Sequence, residues 1–402
     1  MKLNRSLFVL AVLLQFSLVA HADLASIIAG VQSNSPAAVV PPRRTSIVFI
    51  QCTGLGYGDL SCYGQTNFQT PNLDRLAAEG MRFTHYGAAS TNLFAVQAAL
   101  LTGANAAGET LASDAATVAQ KLQSVGYHTG WLGEWDLGDA TSPGAPWKNG
   151  FDEFVGYLNP NEAGNFYADF IWSLPAHVTY DPTSGQWVPW KPGQGSRAAG
   201  REMIYVNTKG KNEYVPDLLT KASLNFIKNN QPDQFNHYQP FFLVLHFTIP
   251  GQKIEVPTDA PFSGEAWPQP EKNKAALISR IDGYVGQVQE QLQNIGLTNR
   301  AVIFIAGTVP PVKTSETDPV FFHSNISTND LRVPMIVHWP ESVPAGRVSN
   351  LPWSAPDFAP TVLQIGFARP AASFTGISVL PTLLGQVGTT TNIAPPLLDR
   401  SF

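Results

Sequence analysis

Two carboxylates, Glu134 and Asp136, stand two positions apart at the end of an apolar run. In an extended loop just after a strand, side chains at i and i+2 face the same way, so both acids could serve one pocket as an acid–base pair or as half of a metal site. No His or Cys is spaced to complete such a site, and the sequence reads them as solvated loop acids. Thr53, Ser90 and Thr91 carry hydroxyls, which become nucleophiles only beside a base or a metal. His323 is a single imidazole that could contact an anion or donate a proton, and read alone it is an ordinary surface or packed histidine. Cys52 and Cys62 are read as unpaired, with Cys52 buried at a strand end.

These residues need elements to position them. Five apolar runs recur, at 46–50, 127–132, 240–247, 301–306 and 333–339, and several have no polar interruption, as in strands covered on both faces. Between them lie helical signals. Thr70 precedes Pro71 as an N-cap candidate, with Gly80 closing that stretch. From Glu271 to Gln293, Ala275, Ile278, Ile281, Val285, Val288 and Leu292 recur at steps of three and four, and Gly296 ends the run. Strand alternating with helix predicts an α/β fold, a doubly wound, mostly parallel sheet flanked by helices. In such sheets ligands bind beyond the carboxyl ends of the strands, here the stretches starting at Gln51, Gly133, Thr248 and Gly307.

An ordered series of motifs then points to one family. Leu55-Gly56-Tyr57-Gly58-Asp59-Leu60, the TPNLDRLAAEG of 70–80, GYHTGWLG, PFFLVL, LRVPMIVHWP and PDFAPTVLQIG occur in the order and spacing of the formylglycine-dependent sulfatases of the alkaline-phosphatase superfamily. The chain resembles that family from Ser46 to Leu384. The segment Thr91 to Gly103, TNLFAVQAALLTG, is similar to the family's C-x-P-S-R-x-x-L-L-T-G, with Leu93, Ala95, Val96 and Gln97 at the Cys, Pro, Ser and Arg positions. The resemblance implies that Leu93 stands where a Cys or Ser is oxidised to formylglycine, whose hydrate attacks sulfur; a hydrocarbon can do neither.

The other family site positions depart in the same direction. The resemblance puts Thr53, Gly54, Gly307 and Thr308 where calcium is held by three Asp and an Asn. Calcium wants about six to eight oxygens including carboxylates, so neither calcium nor formylglycine is expected as a cofactor. Gly-Lys-Trp-His-Leu-Gly becomes Gly133-Glu134-Trp135-Asp136-Leu137-Gly138, exchanging a Lys and a His for two acids. Gly251 replaces a His, and His323 falls near a sulfate-binding Lys. A fixed charge on Glu134 or Asp136 ~5 Å from a sulfate would repel it by roughly 3 kcal/mol at an effective dielectric near 20. Relatives in the superfamily attack phosphorus with Ser or Thr activated by two metals, whose ligands are missing here.

Composition sets the outer bounds. With 44% hydrophobic and 14% charged residues the 402-residue chain is globular. Its net charge of −5 gives no reason to expect nucleic acid as a partner. Lys2 and Arg5, an apolar run from Leu7 to Ala20, and Ala20-His21-Ala22 read as a signal peptide cleaved after Ala22. That run is shorter than the stretch of ~20 apolar residues a membrane span requires. The expected organisation is a leader at 1–22, a linker at 23–44 and a sulfatase-like domain at 45–402, with the family's C-terminal subdomain largely missing. The expected location is secreted or periplasmic. Aromatics with Lys191, Arg197, Arg201, Lys209 and Lys211 between Trp172 and Tyr214 read as a long surface loop that could also hold a sugar. The functional expectation is a pseudoenzyme binding a glycan, a sulfated polysaccharide or a protein. The alternative is a hydrolase rebuilt around Glu134, Asp136 and His323.

Overall fold

Alternation along the first strand explains the layering of the molecule. In the computed structural model, which describes residues 44–159, 162, 165–174, 178–181, 186–189, 202–207, 210–250, 253–308 and 331–386, β1 (Ser46–Thr53) is buried along nearly its whole length. Val48 and Ile50 enter one hydrophobic core, while Ile47 and Phe49 enter another on the opposite face. A strand with period two and apolar residues on both faces requires cover on both sides. The helices supply it.

The strands in chain order are β1, β2 (Met81–Phe83), β3 (Tyr86–Gly87), β4 (His128–Glu134), β5 (Glu153–Tyr157), β6 (Phe170–Leu174) and β7 (Val178–Asp181). They continue with β8 (Gln186–Pro189), β9 (Glu202–Tyr205), β10 (Phe241–Thr248), β11 (Ala301–Gly307), β12 (Met335–His338), β13 (Arg347–Ser349) and β14 (Trp353–Ser354). Ten of them form one sheet in the order β13-β2-β12-β11-β1-β10-β4-β5-β6-β9. The centre, β11-β1-β10-β4-β5, is parallel, and antiparallel pairs join β12 to β11 and β6 to β5. This is the doubly wound α/β fold that the alternating sequence pattern predicts.

The helices are α1 (Pro71–Glu79), α2 (Leu93–Thr102), α3 (Val118–Gln123), α4 (Val215–Asn229), α5 (Gln269–Asn294), α6 (Ala355–Ile365) and α7 (Leu380–Leu383). Leu73 of α1, Phe226 of α4 and Ile278 of α5 pack with Val48 and Ile50; Val96 of α2, Leu122 of α3 and Phe358 of α6 pack with Phe49. α2 is apolar on nearly all sides because it is buried on nearly all sides. Asn92 caps it by accepting from the Ala95 N–H at 3.0 Å. Gly103, at φ 60°, ends it. Each fully buried Phe or Leu contributes about 1.5–3 kcal/mol, so the two cores hold the central strands in a fixed register.

Between Trp172 and Tyr214 the chain is not the uninterrupted loop read from its composition. It contains part of β6, the antiparallel pair β7 and β8, and β9, which pairs with β6. Lys211 there bonds Glu255 and lies 5.2 Å from the Tyr167 ring centroid, whereas Lys191, Arg197, Arg201 and Lys209 lie outside the described residues. The expected leader and linker up to residue 43, Gly251, His323 and residues 387–402 also lie outside them. No described helix is long and apolar enough to cross a membrane.

Candidate functional site

Parallel pairing brings the carboxyl ends of β1, β10, β4 and β11 together, and register decides which side chains meet. Thr53 pairs with Thr248, Cys52 with Gly307, and His246 with Gly133. By alternation Gln51 and Thr53 lie on the Phe49 face of β1, and His246 and Thr248 lie on the Val244 face of β10. Both faces belong to the side covered by α2. A polar cluster results, in which Gln51, Gln97, Glu134, His246 and Thr308 are buried while Thr53, Thr248 and Asp136 are half-buried.

His246 is the hub of this cluster. Its Nδ1 lies 2.7 Å from the main-chain oxygen of Glu134, which can only accept, so Nδ1 carries the proton and donates it there. Nε2 is then the acceptor for the Thr53 hydroxyl at 2.8 Å. The Thr308 hydroxyl, 3.1 Å from Thr53 Oγ1, donates to it in this arrangement. With Nδ1 protonated, the Gln97 amide 2.9 Å from it turns its oxygen to the ring, and its nitrogen then faces Gln51 at 3.2 Å. Gly133 makes the approach possible: at φ 123°, a Cβ there would lie 1.9 Å from the His246 carbonyl oxygen.

Burial sets the protonation states. It pushes the His246 imidazole down to about 3, so the ring is neutral at neutral pH. Burial pushes the Glu134 carboxyl up to about 7, the hydrogen bond from Thr248 opposes this, and the nearby Asp136 charge adds to it. The Thr248 hydroxyl donates to Glu134 Oε2 at 2.6 Å. Asp136, held at φ 57°, is raised to about 6 by burial alone. The 3.9 Å separation of Glu134 Oε2 from His246 Nε2 joins a neutral ring to a carboxyl that titrates near neutrality, and is not a standing ion pair. Two solvated loop acids, as read from the sequence, are therefore not what the fold holds: Glu134 is 1% exposed. The expected repulsion of sulfate becomes pH-dependent.

The positions that the family resemblance marks are brought together in part. Thr53, Gln97, Glu134 and Thr308 meet around His246; Leu93, one turn before Gln97, opens the same helix on the same face. Thr53 and Thr308 stand side by side, as two metal-ligand positions would. Their donor set does not fit calcium. Gly54 takes φ 79° and a Cβ on it would lie 2.1 Å from the Ile249 carbonyl oxygen, and a Cβ on Gly307 would lie 2.6 Å from the Leu55 oxygen, so neither backbone has room for a carboxylate side chain. The two threonines offer only neutral hydroxyls, already bonded to each other. Among the described residues no group of three or more His, Cys, Asp or Glu could hold a metal ion. Cys52 and Cys62 are both free.

Sequence reasoning missed His246, and it placed Gln51 at a strand end without giving it a role. Each is a polar residue inside an apolar strand, two positions before its last residue, on the same side as the terminal Thr. That period-two pairing is a signal the sequence does carry.

The sheet order, with a polar cluster at the carboxyl ends of its central strands, defines an open, mostly parallel α/β protein with its candidate site where such sheets bind ligands. The Sulfatase family model matches residues 45–366, and the chain belongs to that family. It is 26% identical over 374 residues to N-acetylgalactosamine-6-sulfatase of Rattus norvegicus, covering 85% of this chain and 66% of that one. It is 27% identical over 377 residues to N-acetylgalactosamine-6-O-sulfatase of Bacteroides thetaiotaomicron, covering 77% and 70%. The chain thus spans just under two-thirds of the rat relative's length. Among solved structures, PsFucS1 sulfatase from Pseudoalteromonas sp. superposes with a TM-score of 0.68 at 20% identity, over 85% of this chain and 72% of that one. Ps i-CgsB in complex with k-i-k-neocarrahexaose gives 0.67 at 23%, over 85% and 76%. These two likenesses speak for the fold.

Proposed function

We propose that this chain is a sulfatase-family protein that does not hydrolyse sulfate esters by formylglycine chemistry, and whose cleft binds a glycan or a protein partner. The observation that carries this reading is the placement of Leu93 at the start of the helix whose Gln97 reaches the His246 cluster. The position that would supply the nucleophile holds a hydrocarbon, and the cluster that Gln97 of the same helix reaches consists of neutral hydroxyls, amides, a neutral imidazole and a carboxyl. Sulfate carries full negative charge and finds no cation in this cluster among the described residues. Calcium independence belongs to the same reading, since Gly54 and Gly307 leave no room for acidic ligands.

The names of the curated relatives point to an amino-sugar glycan as the class of ligand, held here by hydroxyl and amide hydrogen bonds rather than through its sulfate. Export through the leader at 1–22, to the periplasm or the medium, completes the proposal; a mature N-terminus other than Asp23, read by mass spectrometry, would argue against it. The decisive experiment is hydrolysis of an aryl sulfate by the purified protein, with and without calcium, beside an aryl phosphate. No turnover of the sulfate is expected under either condition. Calcium-dependent sulfate release would sink the reading. Titration with N-acetylgalactosamine oligosaccharides should show micromolar binding of the unsulfated form.

A further inference from the structure

The cluster places the hydroxyl of half-buried Thr53 against an imidazole nitrogen, with a carboxyl beside it. Thr53 is the last residue of β1, at the sheet end where α/β proteins bind ligands. Its Oγ1 lies 2.8 Å from His246 Nε2, and the Glu134 carboxyl lies 3.9 Å from the same nitrogen. The imidazole is fixed from behind by the Glu134 carbonyl at 2.7 Å, which selects the tautomer with a free Nε2. An attacking hydroxyl, a base within hydrogen-bond reach and a third group orienting that base are the requirements for nucleophilic catalysis.

We propose that Thr53, His246 and Glu134 form a hydroxyl–imidazole–carboxyl relay that hydrolyses uncharged carboxylic esters through an acyl-Thr53 intermediate. This adds a reaction of a different class to the functional reading above and does not depend on it. Thr53 Oγ1 forms a bond to the ester carbonyl carbon while its proton passes to His246 Nε2. The tetrahedral adduct expels the alcohol oxygen, which takes that proton from Nε2, leaving acyl-Thr53 and a free alcohol. Water then attacks the acyl carbon and gives a proton to Nε2. Collapse returns the proton to Thr53 Oγ1 and releases the carboxylic acid. The sum is ester plus water to acid plus alcohol, with no redox change.

Each surrounding group has a part in this sequence. The Glu134 carboxylate, 3.9 Å from Nε2, stabilises the imidazolium formed in each half-reaction. That help matters because burial makes the isolated ring a weak base. Thr308, donating to Thr53 Oγ1 at 3.1 Å, fixes the rotamer from which the proton points at the ring. The carboxyls of Glu134 and Asp136 disfavour anionic substrates, which selects neutral esters over sulfates and phosphates.

The test uses p-nitrophenyl acetate and butyrate with the full chain, followed by peptide mass spectrometry of the quenched reaction. Saturable turnover is expected, with an acetyl group on the peptide that contains Thr53. Thr53→Ala should reduce turnover at least ~100-fold, whereas Thr53→Ser, which keeps the hydroxyl, should retain it. In the wild type the rate should rise with pH through about 7 as Glu134 ionises, and Glu134→Gln should flatten that rise. Absent turnover, acetylation confined to lysines, or full activity in a folded Thr53→Ala protein would each overturn the proposal. Calcium-dependent aryl sulfate release in the parallel assay would strike the earlier functional reading alone, because the acyl relay stands or falls on Thr53.

Discussion

Glu134 owes its behaviour to where the fold puts it. A carboxyl with a folded value of about 7, against an ordinary 4.5, holds a proton that the unfolded chain has already released. Stability from this group is therefore highest at and below the ordinary value, falls as pH rises toward 7, and levels off above it, a loss of about 3 kcal/mol. His246 acts in the opposite sense. Its folded value of about 3 lies below the ordinary 6.5, so the stability it supports is present above 6.5 and is lost as pH falls toward 3. Glu134→Gln removes the first effect alone. The variant should melt above the wild type at pH 8.5, by the equivalent of about 2–3 kcal/mol, and the gap should close by about pH 4. Thermal melts at the two pH values check this, and an equal gap at both would show that Glu134 is not buried as a titrating acid.

At the scale of elements, a buried ion pair ties α5 to the loop after β1. Lys274 Nζ lies 2.8 Å from Asp59 Oδ1, both side chains are almost fully buried, and Asp59 Oδ2 accepts from the Gly56 N–H at 2.7 Å. The loop that leaves the site strand is thus anchored by an acid whose cation comes from a different element. Lys274→Met strands that carboxylate in the interior and should cost about 3–5 kcal/mol in urea denaturation. The double variant Lys274→Met with Asp59→Leu should recover much of the loss. The spacing of apolar residues in α5 was legible in the sequence, and the helix runs from Gln269 to Asn294 around them. Nothing in that spacing tells that Lys274, on the same helix, is buried.

At the scale of the molecule, one sheet separates two hydrophobic cores that share the same strands. Phe49 stacks on Phe358 of α6 with ring centroids 4.3 Å apart on one face, and Leu243 packs against the other layer. Neither layer can loosen without releasing the register of β1 and β10. Phe49→Ala should cost about 3–5 kcal/mol and Leu243→Ala about 2–5 kcal/mol. Each should shift one common transition. Trp131, Trp135 and Trp353 are buried on the Phe49 side and Trp267 packs on the other, so fluorescence is weighted toward the Phe49 layer. Leu243→Ala should lower the fluorescence midpoint and the far-ultraviolet midpoint together, and a fluorescence midpoint left in place would show that the layers unfold separately.

Order of elements, fold class and family were written in the sequence, because period-two and period-3.6 patterns are local and family motifs keep their order along the chain. The proposed absence of an oxidisable side chain rests on the sequence alone in the same way, since Leu93 needs no neighbour to be a hydrocarbon. The polar cluster around His246 was not legible there. His246 and Thr53 are 193 residues apart and meet only through the parallel register of β1 and β10. The proton on Glu134 depends on burial, and the exclusion of a ligand side chain at Gly54 depends on the approach of Ile249. Residue identity fixes what a group can do. Distance and desolvation decide whether it does so, and both are properties of the folded chain.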